Sequence, residues 1–500
     1  MSSTPPRGTA PTAVRAVPVI VVLCFGSLCA ALMQSLVIPI QSELPTLLGA
    51  DPSTTSWIVT ATLLGAAVAM PVTGRLADLR GKKPVLVSSA VILLVGSLIC
   101  AVSDTAGPMI VGRVLQGVAM GYIPVAISLV REIAPPHLRN TAVAGVSATL
   151  GVGGALGLPL AAWIAQDFEW HLLFWVSTGL AAVMTVASLI VLPRAQVSHP
   201  ARLDWTGAVG LAVGLVAVLV GVSKGNDWGW GEASTLGLVV GGVVVLLVWG
   251  WYELRHHDPL VDLRTTARRP VLLTNIGAVL IGFGMMAQSI VVPQLLQMPA
   301  ATGYGLDQSI LAAGLWMAPG GVMMMLFTPL SARLLTRFGG RLTLALGATV
   351  LAAGYVVAVF LTGAPWQLML ASCVATAGVG IGYAAMPTLI LTNVPAEEGS
   401  ASVGVNTLMR SIGTTVAGAV MAMILTSQTM TLAPGTPAIP TESAFTWCFA
   451  IGAVAALAGA AVVLLIPRQR PDAGPDGAVP ATQTAHADGG AAREGAPVGA

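Results

Sequence analysis

Charge is what this sequence has least of. Asp, Glu, Lys and Arg make up 9% of its 500 residues, where a soluble domain carries roughly 25%. That deficit excludes a large water-soluble core and reads as a chain threaded repeatedly through a membrane. Its cysteines, Cys24, Cys29, Cys100, Cys373 and Cys448, all fall in apolar runs with no zinc- or haem-type spacing. No metal site is expected from them. H-E-x-x-H, a P-loop and G-x-S-x-G are missing, as is an acid–base pair inside an apolar run. The expectation is therefore no enzyme, no catalytic residue, no cofactor and no ATP-driven pump in this chain alone. Nothing suggests a nucleic-acid partner or the selectivity ring that a channel needs.

What is abundant is apolar sequence, at 55% of residues. The first run, 17–40, is too long for the ~7–15-residue core of a signal peptide and reads as a membrane helix. A ruler of about 20 apolar residues per crossing gives about fourteen spans. They are 17–40, 54–74, 84–103, 108–130, 141–164, 171–192, 206–222, 234–252, 271–294, 309–330, 342–362, 366–392, 402–426 and 444–466, with 206–222 the shortest. Charge placement tests the layout independently. With the N-terminus in the cytoplasm, the outside loops hold Glu43, Asp51, Asp104, Asp167, Glu169, Asp227, Glu232, Asp307 and Glu442 but only one base, Lys224. Every other Lys and Arg lies inside, except Arg113 and Arg410 within spans. This obeys the positive-inside rule and places both termini in the cytoplasm. The ends, 1–16 and 467–500, are rich in Pro, Gly and Ala and are expected to be disordered.

An internal repeat is visible. MPVTGRLADLRGKKPVL (70–86) aligns without gaps to TPLSARLLTRFGGRLTL (328–344), matching Pro71, Arg75, Leu76, Gly81 and Leu86 to Pro329, Arg333, Leu334, Gly339 and Leu344. Duplicated halves are typical of secondary transporters, with the substrate site between them. The expected plan is all-α: a six-helix half (17–192), a linker with two extra helices (193–270) and a second six-helix half (271–466).

The stretch GRLADLRGKK (74–83) is the most specific signal. Gly74 allows a neighbouring helix to approach. Asp78, an acid in a basic loop, can cap a helix or pair with an arginine. Gly81 permits a tight turn, and Arg80, Lys82 and Lys83 hold the loop inside. This stretch resembles the loop signature G-x-L-a-D-r-x-G-r-k of the major facilitator superfamily, with its arginine displaced to position 80. Fourteen spans resemble that family's drug–proton antiporter branch. The resemblance implies a cytoplasmic latch of Gly74, Asp78, Arg80, Gly81, Lys82 and Lys83, with Asp78 pairing across the halves or with a base such as Arg131.

Arg113, Gln116 and Gly117 match a second family signature, R-x-x-q-G in the fourth helix, which implies a role in proton coupling. With Met120, Gly121 and Pro124 they lie near one helical face. A charge near the bilayer centre costs ~2.5–3.5 kcal/mol on insertion scales and usually faces a cavity. The alternative is snorkelling to the outer surface. GVGGALGLPLAA (151–162) resembles, loosely, the antiporter signature of the fifth helix through Gly153, Gly157 and Pro159.

Where the branch often carries an aspartate in the first helix, this sequence has Met33, beside Gln34 and Ser35. No Asp or Glu falls deep inside any span. Protons would then be carried by a helix-end acid such as Glu43, Asp78 or Asp307, or the protein is not a tight cation–proton exchanger. Arg410 makes the intramembrane charge purely positive, which favours neutral or anionic substrates, and Asn406, one turn earlier, is a possible hydrogen-bonding neighbour. Met33, Gln34, Met120, Met285, Gln288, Asn406 and Arg410 are the candidate substrate wall, because thioethers suit a promiscuous apolar pocket. The resulting expectation is a monomeric, multi-pass bacterial plasma-membrane exporter of small lipophilic compounds driven by protons. The alternative is a carrier of organic anions or metabolites without strict proton coupling.

Overall fold

The computed structural model describes residues 13–193, 203–432 and 438–467, apart from Pro39 and Ser42. The expected disorder at both ends falls outside this range except at residues 13–16, which already belong to the first helix. The helices are α1 (Ala13–Ser35), α2 (Pro52–Arg80), α3 (Lys82–Ala101), α4 (Ala106–Ala119), α5 (Tyr122–Ile133), α6 (Arg139–Asp167), α7 (His171–Val191), α8 (Trp205–Trp228) and α9 (Ala233–Glu253). They continue as α10 (Arg269–Gln297), α11 (Ile310–Phe360), α12 (Pro365–Gly382), α13 (Ala385–Asn393), α14 (Gly399–Ser427) and α15 (Glu442–Leu464). One two-residue antiparallel pair, Thr429–Met430 with Ile439–Pro440, closes the loop between α14 and α15.

Thirteen helical segments among the described residues are long and apolar enough to cross a membrane. The count differs from the sequence expectation at 309–330 and 342–362, which run together as α11. Gly339 interrupts α11 with φ 75° and ψ 171°, a conformation outside the helical range. Gly81, its partner in the repeat, joins α2 to α3 with φ 92° and ψ 152°. A side chain would strain either site. Thus the repeated sequence produces the same backbone turn twice.

A second pair of breaks follows the same logic. The expected span 108–130 divides into α4 and α5, where Met120, Gly121 and Ile123 turn to i→i−3 bonds. Pro124 has no N–H to donate to the Met120 carbonyl, so the regular ladder fails there. Span 366–392 divides at Tyr383–Ala384, and Pro387 likewise cannot donate to Tyr383. The span expected to be shortest is the 24-residue α8. Lys224, expected in an outside loop, is therefore inside this helix, and it is buried. It bonds to Ser56, pairs with Asp227 at 3.1 Å and lies over the Trp57 ring. Partners from α2 and its own helix satisfy the ammonium.

The buried apolar residues form three clusters. One is built mainly from residues 19–192, the second mainly from 278–466. The third is small and ties α8 and the 260–261 segment to Ala67, Val405 and Leu408. Close backbone approach carries the packing, as expected where lipid removes the hydrophobic drive between helices. At Gly347, Gly354 and Gly378, a Cβ would come within 2.5 Å of the facing α11 or α12 backbone. Helix α9 buries little of its surface and presents Leu236, Val240, Val244, Leu247 and Trp251 outward. Such an apolar outer face suits lipid, and the chain is a multi-pass integral membrane protein.

Candidate functional site

Two sites emerge. The first is at the end of the bundle that carries Lys82, Lys83 and Arg131. Helix α2 presents Asp78 to the first turn of α14. Its carboxylate accepts the backbone N–H of Ser400 at 3.2 Å and of Ala401 at 2.9 Å. A helix start has N–H groups without internal partners and a partial positive charge, so a carboxylate there is stabilised twice. The contact requires Gly74: a Cβ there would meet the Ser400 carbonyl at 2.5 Å. Gly404 plays the reciprocal part: a Cβ there would meet the Met70 carbonyl at 2.4 Å.

The expected Asp78–Arg131 pairing is not formed. The α14 amides occupy the carboxylate, and Arg131 donates instead to the Thr388 carbonyl at 3.2 Å, again joining distant parts of the chain. Lys82 pairs with Glu132. Lys83 donates to the Leu192 carbonyl at 2.6 Å, where α7 ends with free acceptors. Arg80 is exposed, and Gly81 supplies the turn.

The second site surrounds Arg113 in α4. Only 1% of its surface is exposed, so its guanidinium does not snorkel to the surface. Nη1 donates to the Met33 carbonyl at 3.0 Å and to Gln116 Oε1 at 2.7 Å, while Nε donates to the Ile58 carbonyl at 3.2 Å. Gln116 passes the network on to Ser97 Oγ at 2.9 Å. Met33, which has no carboxylate to offer, contributes its backbone carbonyl oxygen to the arginine. The carbonyl is available because α1 ends two residues later, at Ser35. Gly117 lets α4 press on α2, since a Cβ would meet the Thr62 carbonyl at 2.2 Å. Gly153 and Gly157 do the same for α6 against α1: a Cβ at Gly157 would meet Ser35 Oγ at 2.0 Å, and Ser35 bonds to the Gly153 carbonyl. Pro159 faces Gly314 of α11, so α6 and α11 meet there.

The candidate substrate residues divide. Met33 and Met120 are buried within the first cluster. Asn406 is buried too, and its amide donates to Asn275 Oδ1 at 2.9 Å rather than serving Arg410. Gln34 is exposed, and Met285, Gln288 and Arg410 are half-buried. Met285 lines a small void with Ile281, Leu351, Tyr383 and Met386. Arg410 stacks over the Tyr383 ring at 4.4 Å, a cation–π contact worth ~0.5–2 kcal/mol. Of the acids considered as proton carriers, Glu43 and Asp307 are exposed, whereas Asp78 is half-buried in the α2–α14 contact. Asn275, Tyr383 and the Ser400–Ala401 amides were missed by sequence reasoning. The first two carry no motif, and backbone amides carry no sequence signal at all.

Comparison with known proteins identifies the family. The family profile described as Major Facilitator Superfamily matches residues 23–418. An uncharacterized MFS-type transporter of Mycobacterium tuberculosis is 33% identical over 326 residues, covering 62% of this chain and 46% of its own length. The chain thus spans about half the length of that relative. The multidrug resistance protein B homolog of the same organism is 28% identical over 397 residues, 76% of this chain and 71% of that protein. A Yersinia pestis protein provisionally named multidrug resistance protein MdtD is 26% identical over 460 residues, 91% of this chain and 96% of its own. Among solved structures, the proton:xylose symporter XylE superimposes with a TM-score of 0.62 at 14% identity, covering 91% of this chain and 96% of the other. A human organic anion transporter does so with a TM-score of 0.62 at 15% identity, covering 90% and 99%.

Proposed function

Because the chain belongs to the major facilitator superfamily of transporters, we propose that it is a secondary active exporter of lipophilic, drug- or antibiotic-like compounds, driven by proton antiport with alternating access. The observation that carries this reading is the Asp78 bridge. A carboxylate from the first half sits on the first helical turn of α14 in the second, and the contact must break for that end to open. In this reading the halves are 17–192 and 271–466, with the two extra helices between them. The repeated turn at Gly81 and Gly339, the paired breaks before Pro124 and Pro387 and the separate apolar clusters support the division. Counting α11 as two spans about Gly339 yields fourteen.

The basic end is the cytoplasmic one by charge, with both termini on that side and the protein a monomer in a bacterial plasma membrane. Relatives named for multidrug resistance support a drug-like cargo. Arg113, Gln116 and Gly117 are assigned to proton coupling because their buried network joins four helices, α1 to α4. Asp78 is the acid whose neutralisation would weaken the latch directly. Gln34, Met285, Gln288 and Arg410, which retain exposed surface, are the residues to touch cargo; Met33, Met120 and Asn406 support them.

A second reading, a carrier of organic anions, is favoured by Arg410. Tyr383 is its ring partner, and among the described residues no carboxylate forms a salt bridge with it. Proteoliposomes under an imposed pH gradient decide between the two. Lumenal pH is followed while neutral, cationic and anionic lipophilic compounds are added. Substrate-dependent proton movement abolished by Arg113→Ala supports antiport. Gradient-independent flux, greatest for anions and lost in Arg410→Ala, would replace it with the anion carrier.

A further inference from the structure

No Asp or Glu falls deep inside the expected spans, but two acids, Asp204 and Glu253, are buried at the ends of the extra helices. Asp204 caps α8, accepting the Gly207 N–H at 2.9 Å through Oδ1. Glu253 is the last residue of α9. Both side chains are more than nine-tenths buried, with Glu253 only 2% exposed. They point at each other across Gly207. The position a Cβ would take there is 2.3 Å from Glu253 Oε1 and 2.5 Å from Asp204 Oδ2. The two oxygens are thus within ~5 Å, a range in which two carboxylates disfavour joint ionisation.

Among the described residues, no cationic group lies within hydrogen-bond reach of the pair. Both Glu253 oxygens and Asp204 Oδ2 lack a hydrogen bond of normal geometry, although the amides of Leu260 and Val261 and the Trp249 indole approach Glu253. The titratable neighbours are Tyr252, whose hydroxyl donates to Asp204 Oδ1 at 3.3 Å, and His256, whose Nε2 is 3.9 Å from Asp204 Oδ2. Tyr252 offers only a hydroxyl, and the exposed His256 is beyond hydrogen-bond reach. Two ionised carboxylates buried together without a cation between them would cost several kcal/mol. A single proton removes one charge and creates a donor for the facing oxygen.

We infer that Asp204 and Glu253 form a proton-holding site at the base of the two extra helices, with the proton on Glu253 and the Asp204 carboxylate facing it. The site has a mechanical consequence. Leu260 and Val261 fold over the carboxylates and are buried. The next residues, Asp262 and Thr266, line a cavity of about 210 Å³ with Arg75, Glu398 and Ala401, beside the Asp78 latch. The proton therefore fastens the connecting segment against the part of the bundle that has to open. Cargo identity plays no part in this, and the site holds its proton whether the chain is an antiporter or an anion carrier.

The test uses the full chain in lipid nanodiscs. Infrared difference spectra recorded across neutral pH report protonated carboxyl groups through their carbonyl stretch. One band among them is expected to be lost in Glu253→Gln and in Asp204→Asn, and unchanged in Glu232→Gln. Thermal unfolding followed over the same pH range supplies the second readout. Wild type should vary with pH, whereas Glu253→Gln, which mimics the neutral acid, should hold its midpoint and lose that variation. A band unaffected by either substitution would overturn the inference. So would an unchanged pH profile in Glu253→Gln. A midpoint that rises with sodium but not with choline, in the absence of the band, would also overturn it by identifying the occupant as a metal cation.

Discussion

Replacing Asp78 by Ala deletes two hydrogen bonds to a charged acceptor, from Ser400 and Ala401, and leaves the start of α14 uncapped. Hydrogen bonds to charged groups contribute ~1.5–3 kcal/mol each, and loss of an N-terminal cap costs ~0.5–2 kcal/mol. These overlap, since the bonds are the cap, and water replaces part of them once the end opens. A net shift of ~2–4 kcal/mol in the equilibrium between closed and open basic end follows, or ~30- to 1,000-fold. Asp78→Asn keeps an oxygen acceptor of the right length and loses only the charge, so its shift should be ~1 kcal/mol, about fivefold. The assay is a distance distribution between spin labels at two exposed positions of that end, Arg80→Cys and Arg337→Cys, in a chain freed of its native cysteines. Wild type should show mainly the short distance, Asp78→Asn a mixture, and Asp78→Ala mainly the long one. Equal distributions in all three would refute the bridge as a latch. An Asn variant as open as Ala would show that charge alone, and not capping geometry, holds it.

Three further outcomes follow from the geometry. Gly74→Val should open the same end without touching the carboxylate, because its Cβ would meet the Ser400 carbonyl at 2.5 Å; overpacking of this kind costs ~1–3 kcal/mol and is read by the same labels. Arg113→Lys keeps the charge but cannot reach Met33, Ile58 and Gln116 together; transport in proteoliposomes should fall at least tenfold, with no rescue relative to Arg113→Ala. Gly339→Ala must place a side chain at φ 75°; the thermal midpoint should fall by an amount corresponding to ~1–2 kcal/mol, while Gly340→Ala should be limited by contact with Leu389 rather than by backbone strain.

Much of the fold was legible because a membrane helix is specified locally. Length, apolarity and flanking charge are written in consecutive residues, and each expected span overlaps a helix, although 17–40 is helical only to Ser35 and 309–330 and 342–362 share α11. The boundaries that moved did so for reasons the hydropathy ruler does not register. Pro124 and Pro387 break helices by a missing N–H three to four residues away. Lys224 looked like a loop residue because its partners Ser56 and Trp57 are about 170 residues distant in the chain.

By itself, then, the sequence determined an all-helical membrane protein, the tight turn at Gly81, the repeated loop and the two intramembrane arginines. Each of these is a property of residue type and near neighbours. The tertiary structure alone decided whom those residues meet: Asp78 the amides of Ser400 and Ala401, Arg113 the Met33 carbonyl, Arg410 the Tyr383 ring, Asp204 its fellow acid Glu253. Two of those partners are backbone groups, which every residue carries and no motif can mark. The others lie 27 and 49 residues away in the chain, beyond the reach of any local pattern. Their meeting depends on how glycine-lined helix faces settle against one another, an outcome of packing over the whole bundle.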